Sequence, residues 1–289
     1  MPTTLAPVSI AELTDIAKRV RSHIVQMVFD AQSGHPGGSL SAVELGVSLF
    51  WNHLRCDPAN PDWPERDRFI LSKGHATPFY YSLLAERGYF SPELLRGFRT
   101  LGSPLQGHPS MGAVPGIEMS SGSLGQGLSF AIGHALSGRL DRKDFRCWVM
   151  MGDGELNEGQ IWEAAMGAAK YQAANLTAIL DYNKYQQTGA SHQIMPSLEP
   201  VAEKWRAFGW HVQEIDGHDM AQILQAFATA QQVNTQPQII IAHTLKGRGL
   251  SPFTADPVSH MHGKALDAEA LKTAFAELEG DISVQGRKP

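Results

Sequence analysis

Asp153 and Asn183 stand thirty positions apart, each just past an apolar, strand-like run. Asp153 lies in Met-Gly-Asp-Gly-Glu-Leu-Asn-Glu-Gly (151 to 159), and Asn183 closes Leu-Thr-Ala-Ile-Leu-Asp-Tyr-Asn (176 to 183). Open α/β sheets bind their ligands beyond the carboxyl ends of the strands, so the spacing predicts that this carboxylate and this amide meet in space. One carboxylate, one amide oxygen and a loop carbonyl form an incomplete oxygen shell for a hard divalent cation. Mg²⁺ usually completes such a shell with phosphates and water, so the missing ligands are expected from a phosphate-bearing molecule. Gly152 and Gly154 let backbone approach that anion closely. A helix starting near Glu158 is expected to direct unpaired N–H groups towards it. The pattern reads as a diphosphate site bridged by a metal ion.

The elements that must position these groups are visible in the hydrophobic pattern. Strand candidates are 69 to 71, 145 to 151, 176 to 181, 211 to 215 and 238 to 243, with helix candidates near 76 to 87, 126 to 139, 158 to 173, 198 to 208 and 219 to 233. Short, mostly unalternating apolar strands separated by helices predict an α/β fold: a doubly wound parallel sheet with helices on both faces. Ser9-Ile-Ala-Glu12 and Ser41-Ala-Val-Glu44 both fit a capping box that opens a helix. With no internal repeat or linker, residues 1 to 280 are expected to form one domain and 281 to 289 a tail. The stretch from Lys246 to Gly263, rich in glycine and proline, is expected to be a long loop.

Composition narrows the function classes. The net charge of −5, without a Lys/Arg cluster, argues against nucleic acid as a partner. No apolar run reaches membrane-spanning length, and Met-Pro-Thr-Thr-Leu-Ala-Pro lacks the features of a signal peptide. Cys56 and Cys147 lie in or beside apolar segments, so buried free thiols in a reducing compartment are expected. Together these predict a cytoplasmic protein.

Gly-Asp-Gly followed some thirty residues later by Asn resembles the thiamine diphosphate signature, and its surroundings resemble the transketolase family. Beside it stand Ser33-Gly34-His35-Pro36-Gly37, the run from Arg66 to His75, Gly107-His108-Pro109, the run from Gly122 to Gly127, and His262-Gly263-Lys264. These matching segments follow one another in the family's order. The resemblance implies a thiamine diphosphate-binding fold with Mg²⁺, replaceable by Ca²⁺ or Mn²⁺, held by Asp153, Asn183 and the main-chain carbonyl of Tyr185. It implies that Gly154 offers its N–H to the diphosphate, that His75 and His262 contact the diphosphate, and that His35 and His108 face the donor sugar. His35, His108 and His262 would stabilise charge and move protons. Gly122, Ser123 and Leu124 would present main-chain groups to the aminopyrimidine, with Ser123 where the family has proline. Glu158 would join the cofactor-site residues at the subunit interface and communicate with the partner's site. His23, His53, His134, His192 and His211 are read as ordinary polar residues.

Two nucleotide readings fall on spacing. The glycines of 122 to 127 are misplaced for a dinucleotide fingerprint, and Gln160-Ile161 stand where a P-loop needs Lys and Ser/Thr. The resemblance covers the diphosphate-binding domain and then stops. It therefore implies a separately encoded pyrimidine-binding subunit, supplying the glutamate that activates the cofactor, in an α2β2 heterotetramer. The expected reaction moves a two-carbon ketol unit from a ketose or ketose phosphate to an aldose. Two rivals share part of this pattern: a subunit of another thiamine diphosphate enzyme, such as a deoxyxylulose phosphate synthase or a 2-oxoacid dehydrogenase component, and a non-catalytic cofactor-binding module.

Overall fold

The computed structural model describes residues 7–254, 262–263 and 266–279. In chain order the elements are α1 (Ile10–Ala31), α2 (Pro36–Leu40), α3 (Val43–Asn52), β1 (Arg68–Leu71), α4 (Thr77–Arg87), α5 (Gln126–Leu140), β2 (Cys147–Gly152), α6 (Gly159–Lys170), β3 (Leu176–Tyr182), α7 (Ser191–Ile194), α8 (Val201–Ala207), β4 (His211–Asp216), α9 (Met220–Gln232), β5 (Gln238–His243), α10 (Ser251–Thr254) and α11 (Ala268–Glu279). The strands form one parallel sheet in the order β1-β2-β3-β5-β4.

Alternation along each strand divides the interior into two cores. Phe69, Leu71, Trp148, Met150, Ile179 and Ile240 face one side, packed by α1, α3, α4 and α9. Ile70, Val149, Met151, Ala178, Leu180 and Ile241 face the other, packed by α5, α6 and α8. Both faces of β1, β2, β3 and β5 being dry explains why those strands read as continuous apolar runs; β4, at the edge, is largely half-buried. The order also fits right-handed crossovers. Helices on the α5/α6/α8 face connect strands as the chain moves from β1 through β2 and β3 to β4, and α9, on the other face, carries it back to β5.

A local signal sets the start of α1 and another fails at α3. Ser9 caps α1, with Glu12 N–H donating to its Oγ at 3.3 Å and Ser9 N–H donating to Glu12 Oε2 at 3.0 Å. Every third or fourth residue of α1, from Leu13 and Ile16 through Val20, Ile24 and Val28, is buried. The box expected at Ser41-Ala-Val-Glu44 does not form. Ser41 Oγ donates to Asp181 Oδ2 at 2.6 Å, and Glu44 accepts from Arg21 and His218. Tertiary partners have outcompeted the local cap, and α3 opens on Ala42 without a side-chain bond. The predicted loop from Lys246 also contains a turn of helix, α10, with Phe253 buried. Residues 255–261 of that loop, Lys264 and the 281–289 tail lie outside the described residues. Cys147 is buried and Cys56 half-buried, both as free thiols.

Gly46 marks how tightly α3 packs on α4. A Cβ there would sit 2.3 Å from the Phe79 ring and 2.6 Å from Leu83 Cδ1, and overpacking of this kind costs about 1–3 kcal/mol. Gly46→Ala is therefore expected to lower the urea midpoint at unchanged slope. Gly133→Ala on α5, where an added Cβ meets nothing within 4 Å, should be neutral or gain up to about 1 kcal/mol. Equal effects of the two substitutions would contradict this packing.

Candidate cofactor and active site

Register brings the carboxyl ends of the strands level. Gly152 pairs with Asp181, and Tyr182 pairs with His243, so the segments after β2, β3 and β5 begin side by side. A cavity of about 250 Å³ opens above them, lined among others by His35, His75, His108, Asp153, Asn183 and Tyr185. His262, Gly122, Leu124 and Gly154 line the same cavity. Ser123 and Glu158 do not line it; both are exposed in the single chain.

Asp153 is buried at the end of β2, where Oδ1 accepts from Gly154 N–H and Oδ2 from Ser191 Oγ, both at 2.9 Å. Burial raises its carboxyl to about 6, and Asp181 adds to the rise against the opposing pull of Ser191, Gly154 and Lys246. Asn183 Oδ1 accepts from Tyr185 N–H at 3.1 Å, which fixes the turn that carries the Tyr185 carbonyl. That turn folds back through a Tyr185–Ala190 bridge, delivering Ser191 to Asp153.

Three imidazoles meet pairwise. Ring centroids lie 5.2 Å apart for His35 and His75, 5.1 Å for His35 and His262, and 5.2 Å for His75 and His262. Burial, with neighbouring cations, holds His35 and His262 near pKa 4 and His75 well below its ordinary value. All three are neutral at physiological pH. His108 packs beside Gly122 and is lowered by burial and by Arg99. Arg99 Nη1 donates to Ser33 Oγ at 2.6 Å, and its guanidinium packs against Gly107, so one cation ties the His35 loop to the His108 loop.

Sequence reasoning gives no role to four buried charged residues: Lys73, Glu155 and Lys246, which line this cavity, and Asp181, which pairs with Lys73. Lys73 donates to Asp181 Oδ2 and to Gly38 C=O, the latter at 2.7 Å. Burial alone would raise Asp181, but Lys73, Ser41 and Thr244 together hold it below its ordinary value. Glu155 accepts from Ser72 Oγ, from Gly125 N–H at 2.8 Å and from Gly152 N–H at 3.2 Å. It thereby folds the 154–157 turn onto the start of α5, where Gly125 occupies left-handed backbone at φ 83°. Lys246 is 1% exposed, with Nζ 3.4 Å from His262 Nδ1. A Lys and an Asp inside strand-end motifs were the available signals. Helix geometry also differs from expectation. Glu158 is extended, and a 3-10 turn at Gly154–Asn157 intervenes before α6. Residues 152–155, not the first turn of α6, adjoin the cavity.

A divalent cation with a diphosphate fits this chemistry. No group of three or more His, Cys, Asp or Glu able to hold a metal occurs among the described residues, so a cation at Asp153 needs ligand-supplied oxygens. Gln186, which lines the cavity, has a buried Nε2 without a hydrogen-bond partner among the described residues, as does His35 at Nδ1. The Gln186 amide, a donor lacking an acceptor, suits an anion, whereas the His35 nitrogen can donate or accept according to its tautomer.

This fold and cavity define a class, the α/β domains that bind thiamine diphosphate at the ends of a parallel sheet. Residues 13–281 match the family model described as transketolase, thiamine diphosphate binding domain. The chain is 44% identical over 268 residues to the 6-deoxy-6-sulfo-D-fructose transketolase subunit SqwG of Clostridium sp. (strain MSTE9), covering 93% of this chain and 96% of that one. It is 38% identical to an apulose-4-phosphate transketolase subunit of Phocaeicola vulgatus, covering 92% and 93% of the two chains. Among solved structures, Campylobacter jejuni transketolase superposes with a TM-score of 0.88 at 32% identity, over 96% of this chain but only 44% of that one. The chain belongs to the transketolase family. It spans less than half the length of the solved transketolases it matches. No helix among the described residues is long and apolar enough to cross a membrane.

Proposed function

We propose that this chain is the diphosphate-binding subunit of a two-subunit, cytoplasmic transketolase that transfers a two-carbon ketol unit from a ketose donor to an aldose acceptor. The observation that carries the reading is the convergence of Asp153, Asn183 and four histidines on one cavity. Near end-to-end similarity to two chains named as transketolase subunits supports the split arrangement; the partner would be a pyrimidine-binding subunit in an α2β2 assembly.

Asp153, Asn183 and the Tyr185 carbonyl would hold Mg²⁺, while His75, His262 and the Gly154 N–H would receive the diphosphate. Thiamine diphosphate, when bound, supplies the electron sink that carbon–carbon cleavage requires. The chain's own part is orientation and proton movement. His35 is neutral and its Nδ1 lacks a partner among the described residues, so it can take a proton from a donor hydroxyl and return it. His108, tied to the same face through Arg99, would orient the donor oxygens, and Gly122, Ser123 and Leu124 would offer main-chain groups to the cofactor ring. Glu158, exposed beside Gly125, would meet a second chain.

Substitution separates these roles. His75→Ala is expected to raise the thiamine diphosphate requirement, whereas His35→Ala and His108→Ala should mainly reduce turnover, by about 10²- to 10⁴-fold for a lost acid–base group. The assay is ketol transfer by the reconstituted complex across a cofactor titration and a panel of ketose donors. If all three variants stay within a few-fold of wild type in both parameters, the donor-site assignment is wrong.

A further inference from the structure

Lys246 places a buried ammonium in the cavity, yet its own contacts are long, 3.3 to 3.4 Å to the Tyr185 and Gln186 carbonyls and to His262 Nδ1. Its position must therefore come from the backbone that carries it. That backbone turns through Gly247 and Gly249, both at positive φ, and is tethered on either side of Lys246. On one side Leu245 N–H donates to His218 Nε2 at 2.8 Å. On the other, Arg21 Nε donates to the Arg248 carbonyl at 3.1 Å.

A third tether, Gly247 N–H donating to the Gly37 carbonyl at 3.0 Å, is backbone only, whereas these two converge on one carboxylate outside the cavity. Arg21 Nη2 donates to Glu44 Oε1 at 2.5 Å, and His218 Nδ1 lies 3.1 Å from Glu44 Oε2. Since a backbone N–H can only donate, His218 Nε2 must accept, which puts the ring proton on Nδ1 facing Glu44. Asp216 fixes the other end of His218, accepting its backbone N–H at 2.8 Å. Burial would raise Glu44, but Arg21 and His218 outweigh it and hold the carboxyl near 2. A buried ion pair is weak as a source of stability and better suited to fixing geometry.

We propose that Arg21, Glu44 and His218 form a clamp that sets the position of Lys246 and thereby the affinity of the cavity for a diphosphate. The inference rests on the cofactor reading above, and all three are positioning residues that do not line the cavity. His218→Ala removes the acceptor of Leu245 N–H; His218→Gln keeps an oxygen able to accept it. Glu44→Gln, which keeps the shape and removes the charge, is a second handle should His218→Ala fold poorly.

Two readouts decide the matter: amide exchange at Leu245 in the purified chain, and the dissociation constant for thiamine diphosphate with Mg²⁺ in the complex. In His218→Ala, Leu245 exchange and the dissociation constant are each expected to rise about tenfold or more, in line with the effect of residues behind a ligand. Turnover at saturating cofactor should stay within twofold. His218→Gln should restore both readouts, and Glu44→Gln should fall between. Unchanged Leu245 exchange, a faster exchange with unchanged affinity, or equal losses in the Gln and Ala variants would each overturn the clamp. If the wild-type complex binds no thiamine diphosphate, the cofactor reading fails by itself and Leu245 exchange alone decides whether the triad holds the turn.

Discussion

Asp153→Ala is expected to abolish Mg²⁺-dependent thiamine diphosphate binding and, with it, ketol transfer. Asp153, Asn183 and the Tyr185 carbonyl are the proposed protein ligands, so this substitution removes the charged member of that set; Glu155, the other cavity carboxylate, is held by Ser72, Gly125 and Gly152. The Asp153 carboxylate is buried and, without a cation, pushed up to about 6, which means that the folded site carries a negative charge at a cost. A bound cation offsets that cost, and an alanine cannot draw one in. The loss should exceed the roughly 10- to 100-fold that accompanies removal of a residue behind a ligand. Asn183→Ala should weaken the cofactor strongly but less completely, because the lost group is neutral, although its bond to Tyr185 N–H goes too. Ser191→Ala, which leaves the carboxylate and removes one hydrogen bond, should do least. Titration of thiamine diphosphate and Mg²⁺ into each variant gives the ranking. Full activity of Asp153→Ala at ordinary cofactor and metal concentrations would sink the assignment.

What the sequence could and could not reveal follows from the range of the interactions. Strands β1, β2, β3 and β5 were legible because each is a short apolar run buried on both faces, whereas β4, at the sheet edge, is largely half-buried and polar. The meeting of Asp153 with Asn183 followed because the site lies one residue beyond two paired strands. Ser41 and Glu44 mislead because their partners come from distant segments: Asp181 for one, Arg21 and His218 for the other. The Lys73–Asp181 pair joins the ends of β1 and β3 across the intervening β2, a proximity that exists only in the folded sheet. Glu155 is the same case in miniature. Three donors from 72, 125 and 152 capture it, and that capture, invisible to helix propensity, moves the start of α6 away from the cavity. Arg99 carries no motif at all, and its place between two histidine loops depends on its own left-handed backbone and on the missing side chain of Gly107.

The purified chain is expected to transfer no ketol unit by itself and to gain activity when mixed with a pyrimidine-binding subunit. This chain covers 44% and 42% of the Campylobacter jejuni and Leishmania mexicana transketolases, and nearly all of two chains named as subunits. Leu101, Met111 and Phe130 are exposed large apolar side chains. If the cofactor lies between two chains, each should bind more tightly in the presence of the other, since linkage between binding events is reciprocal. Thiamine diphosphate should therefore strengthen the association of the two chains by the same factor by which the partner strengthens cofactor binding. Analytical ultracentrifugation with and without cofactor measures the first factor and calorimetry the second. Robust ketol transfer by the chain alone, with mass spectrometry excluding a carried-over host transketolase, would overturn the two-subunit reading.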